Sequence, residues 1–126
     1  MSWQAYVDNS LVGTGCVTKG ALHGHDGSLW ATSAGFSVSK DEALKIINGF
    51  TNPGALQTNG FTVHGTKYRT LKADENSIYG RFGATGVVCC KTGQCLIIAM
   101  YDENIQPGQC TNVTEKLSDY LREAGY

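Results

Sequence analysis

The sequence predicts an α+β fold built on a central antiparallel β-sheet of about six to seven strands. Apolar residues recur at helical spacing near the two ends of the chain and once between them, whereas an alternation of period two begins at Phe61. The later strands are joined by very short connections, and connections that short join antiparallel neighbours. We therefore expect a helix at each end of the chain and an antiparallel meander before the last helix.

The first helix is predicted to begin after Ser2, whose hydroxyl is suited to cap the first turn. Trp3 and Tyr6 are three residues apart and therefore share one face of this helix. Gly13 is expected to end it. The aromatic pair has two interpretations: large rings packed into the core, or a partly exposed platform for a ligand.

Two short strands, at residues 21–24 and 29–32, are predicted next, because the Asp-Gly pair between them is a strong hairpin signal. Ser39 and Glu42 have the Ser-x-x-Glu spacing of a capping box and open a second helix. Gly49 is placed to stop that helix. One further helical turn is expected, through Leu56.

Five more strands are predicted, at residues 61–64, 67–72, 77–82, 87–91 and 95–101. The segment 96–100 is apolar at every position, so we expect the last of these strands to be covered on both faces. The last helix is predicted to begin near Pro107, a residue suited to the first helical turn. Its charged residues, Glu115 among them, are expected on the solvent side.

Length, charge and cysteine content limit the function classes. The 126 residues are enough for one core, and we expect a single domain over residues 1–126. The formal net charge is -1, from 10 basic and 11 acidic residues, so no overall field attracts nucleic acid or membranes. No secretory signal or bilayer-spanning run is present. Five cysteines without an export signal indicate a reducing, cytoplasmic location and five free thiols, mostly buried.

Two groups of residues could suggest other chemistry. His23 and His25 lie on one side of an extended segment, but neither they nor the cysteines have the paired spacing of zinc ligands, so no metal site is predicted. Cys90 with His64 and Asp102 is conceivable as a nucleophile with its base, yet a buried strand thiol is the expected state. We therefore expect no cofactor and no enzymatic activity.

Three parts of the chain resemble the profilin family. They are the opening MSWQAYVD, the segment SIYGRFGATG at residues 77–86, and the close IQPGQC at 105–110 with EKLSDYL at 115–121. The matches occur in order from the first residues to the last. The resemblance implies a central antiparallel sheet with the two terminal helices packed together on one face and smaller helices on the other.

The resemblance also implies a groove between the terminal helices that binds proline-rich peptides. The matching positions are Trp3, Tyr6, Trp30, Tyr120 and Tyr126, of which the position of Tyr120 is variable in the family. A polyproline II helix presents flat rings and free carbonyls, on which aromatic rings stack and to which indole and phenol groups donate. Trp30 is expected to lie beneath the groove and to support Trp3.

The second surface implied by the resemblance binds monomeric actin. The matching positions are Lys67, Arg69, Lys72, Arg81, Lys91, Asn112 and Lys116. Basic side chains on neighbouring strands would form a positive patch suited to actin's acidic surface, although each alone is equally consistent with a solvated strand position. Many relatives have two adjacent basic residues where this chain has Arg81 and Phe82. The missing charge weakens the expected binding of actin and, further, of phosphoinositide head groups.

The resemblance thus implies a monomeric, cytoskeleton-associated adaptor without chemistry of its own. It would bind actin monomers and proline-rich proteins at separate surfaces, regulate actin polymerisation and speed nucleotide exchange on actin. Two alternatives stay open. One is a module for proline-rich peptides that lacks strong actin binding, and the other is a cytosolic thiol enzyme that uses Cys90 or Cys110.

Overall fold

The computed structural model of the chain describes residues 2–126. Seven strands form one sheet in the order β2-β1-β7-β6-β5-β4-β3, and every neighbouring pair is antiparallel. The strands are β1 (Lys19–Gly24), β2 (Leu29–Thr32), β3 (Phe61–Val63), β4 (Thr66–Ala73), β5 (Ser77–Phe82), β6 (Thr85–Lys91) and β7 (Cys95–Tyr101). The predicted α+β class with a central antiparallel sheet is confirmed.

Helices cover both faces of this sheet. They are α1 (Trp3–Ala5), α2 (Lys40–Thr51), α3 (Pro53–Asn59) and α4 (Pro107–Glu123). A π-helical segment (Tyr6–Leu11) and a 3₁₀ turn (Val12–Thr14) continue α1, and residues 3–14 together are called the N-terminal helix below. The N-terminal helix and α4 pack on one face of the sheet, and α2 and α3 pack on the other. Within residues 2–126, no helix has the length and apolar character needed to cross a bilayer.

Strand β7 contacts both layers of helices. Leu96 and Ile98 belong to the core beneath α2 and α3, whereas Ile97 and Ala99 belong to the core beneath the terminal helices. All four side chains are fully buried. Full burial of a leucine or isoleucine contributes about 1.5–3 kcal/mol. The prediction that this strand is covered on both faces is confirmed.

Both predicted helix caps are present. The Ser2 hydroxyl accepts a hydrogen bond of 3.1 Å from an amide of the first turn. The Ser39 hydroxyl accepts from the amide of Glu42 at 3.1 Å, and the Glu42 carboxylate accepts from the amide of Ser39 at 3.0 Å. The same carboxylate accepts from the amides of His64 and Gly65 at 3.2 and 2.9 Å. Glu42 therefore also fixes the turn between β3 and β4 against α2.

Three predicted helix ends are wrong. Gly49 does not stop α2, which continues to Thr51. A Cβ at this position would overlap the side chain of Leu56, so glycine here allows α3 to pack closely on α2. Gly13 does not end the N-terminal helix, which closes at Gly15 with φ +78°. The helix through Leu56 is also longer than one turn, because α3 extends to Asn59.

Three strands begin earlier than predicted, β1 and β6 by two residues and β4 by one. β1 begins at Lys19 because residues 19 and 20 pair with Met100 and Ala99 of β7. β6 begins at Thr85, which pairs with Phe82 across a tight turn. Local sequence pattern does not encode these pairings, since each depends on the partner strand.

The solvent-side prediction for Glu115 is wrong. Its carboxylate accepts hydrogen bonds from the Ser77 hydroxyl at 3.0 and 3.1 Å, the Tyr79 hydroxyl at 2.7 Å and the Cys90 thiol at 2.9 Å. Burial by itself would raise the pKa of Glu115, but the hydrogen bonds from Cys90, Tyr79 and Ser77 outweigh it and the pKa is lowered. Glu115 thereby anchors α4 to strands β5 and β6.

Replacing this carboxylate tests the anchor. Glu115→Gln is expected to lower the free energy of unfolding by about 1–3 kcal/mol, because the amide group cannot accept from all three donors and leaves at least one of them unpaired. The pKa of Glu115 is lowered in the folded state, so its stabilising effect is present above the unfolded-state pKa and is lost as the pH falls through the folded-state pKa. Urea unfolding at neutral pH and below the folded-state pKa measures both effects.

The matched control is Glu123→Gln, which removes the same charge from an exposed position near the end of the same helix. This variant should unfold like the wild type. A stability loss in Glu115→Gln that stays constant at the two pH values would contradict the role of the ionised carboxylate.

Candidate functional site

The five aromatic residues predicted for the groove form one connected cluster. The centroid of the Trp3 ring lies 4.6 Å from that of Trp30, 5.1 Å from that of Tyr126 and 5.7 Å from that of Tyr6. The rings of Tyr6 and Tyr120 are 6.1 Å apart. The cluster therefore joins the N-terminal helix, strand β2, α4 and residue 126 on one face of the sheet.

The side chains of the cluster differ in exposure. Each interpretation of the Trp3 and Tyr6 pair, core packing or a partly exposed platform, therefore applies to part of the cluster. Tyr6 is 8% exposed and belongs to the core, whereas Tyr120 and Tyr126 are 55% and 41% exposed. Trp3 and Trp30 are half-buried and pack against each other. Trp30 thus supports Trp3 from the adjacent strand, as predicted. A hydrogen bond with the Tyr120 side chain raises the pKa of Tyr6, so the Tyr6 phenol stays a protonated donor at neutral pH.

The N-terminal helix is tied to the sheet beside the cluster. The side-chain amide of Gln4 donates to the backbone carbonyl of Thr32 at 3.0 Å, and also to the Asp8 carboxylate at 3.1 Å. Because Gln4 follows Trp3 directly, this contact helps to hold the Trp3 ring over Trp30.

The turn between β6 and β7 holds the other end of the cluster. The backbone carbonyl of Tyr126 accepts hydrogen bonds from the Thr92 hydroxyl at 2.9 Å and from the amide of Gln94. The Gln94 side chain donates to the carbonyl of Gly125 at 3.2 Å, and the amide of Tyr126 donates to the carbonyl of Leu121 at 2.8 Å. Sequence analysis missed Thr92 and Gln94, because their partners lie about thirty residues further along the chain.

The structure brings only some of the predicted actin-surface residues together. Lys67, Arg69 and Arg81 line one open groove with the end of α3. Arg69 and Arg81 are opposite each other in the pairing of β4 with β5, and all three side chains are exposed. Phe82 borders the same groove and is 60% exposed, and its ring lies nearly perpendicular to that of Tyr68, with the ring centroids 6.4 Å apart. The groove therefore combines three cations with one exposed apolar ring.

The other two strand cations lie towards the opposite end of these strands. The Lys72 ammonium is 3.5 Å from the Asp74 carboxylate and 5.0 Å from the centroid of the Tyr79 ring. Lys91 closes strand β6 and lines a depression together with Glu75. Both lysines therefore lie apart from the three cations of the groove and have an acidic residue nearby, and the role of these positions in binding actin stays a prediction.

The two α4 positions are also separate from the cationic groove. Asn112 is exposed near the start of the helix. Lys116 lines a cavity with Tyr6 and Tyr120, on the side of α4 that faces the N-terminal helix. Of the seven positions implied for actin, the structure thus brings three into one groove and separates four.

The cysteines do not form a catalytic arrangement in residues 2–126. All five are free thiols, four of them buried and Cys16 half-buried, as predicted. Burial raises the pKa of Cys90, as does its hydrogen bond to Glu115. His64 contacts the backbone of Ser37 at 2.8–2.9 Å instead of a thiol. Burial also raises the pKa of Cys110 to about 12. These thiols are protonated at neutral pH and are therefore poor nucleophiles.

The histidine pair does not form a metal site. Nδ1 of His23 lies 3.3 Å from the carbonyl of Gly27, and Nε2 of His25 lies 2.9 Å from the carbonyl of Thr92. Burial lowers the pKa of His23, so this imidazole is neutral. Among the described residues, no group of three or more His, Cys, Asp or Glu side chains could hold a metal ion.

These features define a class of α+β protein in which one sheet face carries an aromatic groove between the terminal helices. Comparison with known proteins identifies the family. The sequence model of the Profilin family matches residues 1–126. Profilin-A of Physarum polycephalum is 56% identical and Profilin-2 of Acanthamoeba castellanii is 51% identical, each over 126 residues that cover 100% of both chains. The chain belongs to the profilin family.

Solved structures of profilins have the same fold. The crystal structure of Acanthamoeba castellanii profilin II matches with a TM-score of 0.97 and 50% identity, covering 99% of this chain and 100% of that chain. Mouse profilin IIa, solved in complex with a double repeat from the FH1 domain of mDia1, matches with a TM-score of 0.82 and 24% identity over 100% of both chains. The arrangement of terminal and smaller helices implied by the resemblance is confirmed.

Proposed function

We propose that this profilin binds actin monomers and proline-rich proteins at two separate surfaces and thereby regulates actin polymerisation. The observation that carries the proposal is the cluster of five aromatic rings between the terminal helices. The family membership adds the expectation that actin is the second partner and that nucleotide exchange on actin is accelerated. Such acceleration acts on the conformation of actin, and no group of this chain takes part in the chemistry.

The proline-rich ligand is proposed to lie across the exposed parts of Trp3, Tyr120 and Tyr126 and to contact Tyr6 at the small part of its side chain that is exposed. Proline rings stack on aromatic faces, and a polyproline II helix binds at low entropic cost because it is preformed. The ligand carbonyls have no internal partners, so the indole N–H and the phenol hydroxyls can donate to them. Trp30 is proposed to act from beneath, since it supports Trp3 and is itself half-buried.

Actin is proposed to bind at the groove that contains Lys67, Arg69 and Arg81. These cations are exposed and lie within reach of one another, which suits an acidic partner surface. The aromatic cluster lies elsewhere on the chain, so both ligands can bind at once in a ternary complex. Lys72, Lys91, Asn112 and Lys116 are proposed as peripheral contacts at most, because they lie outside this groove.

A proline-rich-peptide module without strong actin binding is the second candidate. The observation that favours it is Phe82, which is exposed at the actin groove where many relatives have a second basic residue. The same substitution leaves fewer clustered cations for phosphoinositide head groups, so binding to these lipids is proposed to be weak. We further propose that the chain is a single domain over residues 1–126 and acts as a monomer in the cytoplasm.

Trp3→Ala tests the proline-rich site. The variant is expected to lose retention on a polyproline column, with affinity reduced by about 30-fold or more, because it removes the ring at the centre of the cluster. Leu29→Ala is the matched control, since Leu29 is an exposed apolar residue beside Trp30. Undiminished retention of a Trp3→Ala variant with the wild-type far-UV spectrum would remove the support for this site.

The double variant Arg69→Ala/Arg81→Ala tests the actin site. Affinity for actin monomers is expected to fall about tenfold or more at low salt and less at high salt, because two interfacial charges are removed. Retention on polyproline should not change. Lys45→Ala, an exposed lysine on α2, is the control. If the double variant bound actin monomers as tightly as the wild type, the groove would not be the actin site. If the wild type itself did not bind actin monomers, the peptide module without strong actin binding would replace the proposed two-surface function.

A further inference from the structure

The cavity that Lys116 lines with Tyr6 and Tyr120 adjoins the aromatic cluster, between the N-terminal helix and α4. Its volume is about 330 Å³. The lining residues are Tyr6, Ser10 and Thr14 of the N-terminal helix with Val113, Lys116, Leu117 and Tyr120 of α4. Tyr6 and Tyr120 belong to both the cluster and the cavity, so the cavity continues the groove rather than forming a separate site.

The walls of this cavity are mainly apolar. Leu117 and Val113 supply the α4 wall, and the short side chains of Ser10 and Thr14 face them from the N-terminal helix. The Thr14 hydroxyl already donates to the carbonyl of Leu11 at 2.6 Å and accepts from the amide of Cys16 at 3.1 Å. The Thr14 hydroxyl is therefore largely satisfied by the backbone at the end of the N-terminal helix. The space beside it consequently suits an apolar group of a ligand.

Lys116 is the single charged side chain that lines this cavity. In residues 2–126 the two ion pairs are Lys72 with Asp74 and Arg122 with Asp119, so Lys116 takes part in neither. The two acidic residues of α4 that flank Lys116 have other partners: the Glu115 carboxylate accepts from Ser77, Tyr79 and Cys90, and the Asp119 carboxylate accepts from Arg122 at 3.0 Å. The rim of the cavity thus carries one positive charge, which is complementary to an acidic ligand group.

We propose that the proline-rich groove continues past Tyr6 and Tyr120 into this compartment, where Lys116 selects ligands that carry an acidic residue beside their prolines. The inference rests on the proposed function and deepens it. The occupant is a proline-rich segment followed, at one end, by an apolar residue and then by Asp or Glu. The apolar residue fills the space between Ser10 and Leu117, and the carboxylate reaches the Lys116 ammonium.

The dimensions fit this occupant. Ser10 and Thr14 lie four and eight residues beyond Tyr6, which corresponds to about 6–12 Å along a helix. A polyproline II segment extends about 3.1 Å per residue, so two to four ligand residues cover the same distance. An acidic residue in that range from the proline that contacts Tyr6 is therefore within reach of Lys116.

Flanked peptides test the proposal. The probes are a polyproline peptide alone and the same peptide extended at its C-terminus with Leu-Glu or Leu-Lys, or at its N-terminus with Glu-Leu or Lys-Leu, so that Leu always adjoins the prolines. The wild type is expected to prefer one of the Glu-extended peptides over its Lys counterpart by about 2- to 5-fold at low salt, the range for an exposed ion pair. Lys116→Glu should reverse this preference and leave the affinity for unextended polyproline unchanged.

Two further variants make the test specific. Lys45→Glu changes the net charge equally on the opposite face of the sheet and should keep the wild-type preference. Ser10→Leu fills the compartment and should remove the gain from extension while retaining the binding of plain polyproline. Equal affinity of the wild type for Glu- and Lys-extended peptides, or an unchanged preference in Lys116→Glu, would overturn the proposal. Failure of the wild type to bind even plain polyproline would instead overturn the proposed function on which it rests.

Discussion

The need to cover strand β7 on both faces determines the architecture. Its consecutive residues Leu96 to Ala99 are fully buried, two towards each layer of helices. A strand of this composition cannot leave one side in water, because each exposed leucine or isoleucine would lose about 1.5–3 kcal/mol of burial. The terminal helices must therefore pack together on one face while α2 and α3 cover the other. The aromatic groove exists because both ends of the chain reach the same face.

Hydrogen bonds from the sheet then fix the details of this groove. Gln4 holds the start of the N-terminal helix to β2, and the turn between β6 and β7 holds Tyr126 through Thr92 and Gln94. Glu115 anchors α4 to the strands through three side-chain donors. Rings that are positioned in this way lose little freedom when a rigid ligand binds, and such preorganisation favours affinity.

Sequence analysis succeeded where the signal is local. The caps at Ser2 and Ser39, the shared face of Trp3 and Tyr6, and the apolar run in β7 each depend on neighbours within a few positions. It failed where a side chain is explained by a distant partner. Glu115 and Lys116 are adjacent charged residues of α4. Glu115 nevertheless binds strand residues, whereas Lys116 lines the cavity between α4 and the N-terminal helix. The pattern of charges along a helix cannot separate two such cases, because the donors that attract Glu115 lie 25 to 38 residues earlier.

Tryptophan fluorescence during a titration with polyproline tests most directly whether the two ends of the chain form a ligand surface. Both tryptophans of the chain lie in the aromatic cluster, with ring centroids 4.6 Å apart, so a ligand that covers Trp3 also changes the surroundings of Trp30. A saturable change in fluorescence is the predicted result. A flat titration, together with no retention of the same protein on a polyproline column, would mean that the rings serve only to pack the terminal helices and would contradict a ligand surface at this site.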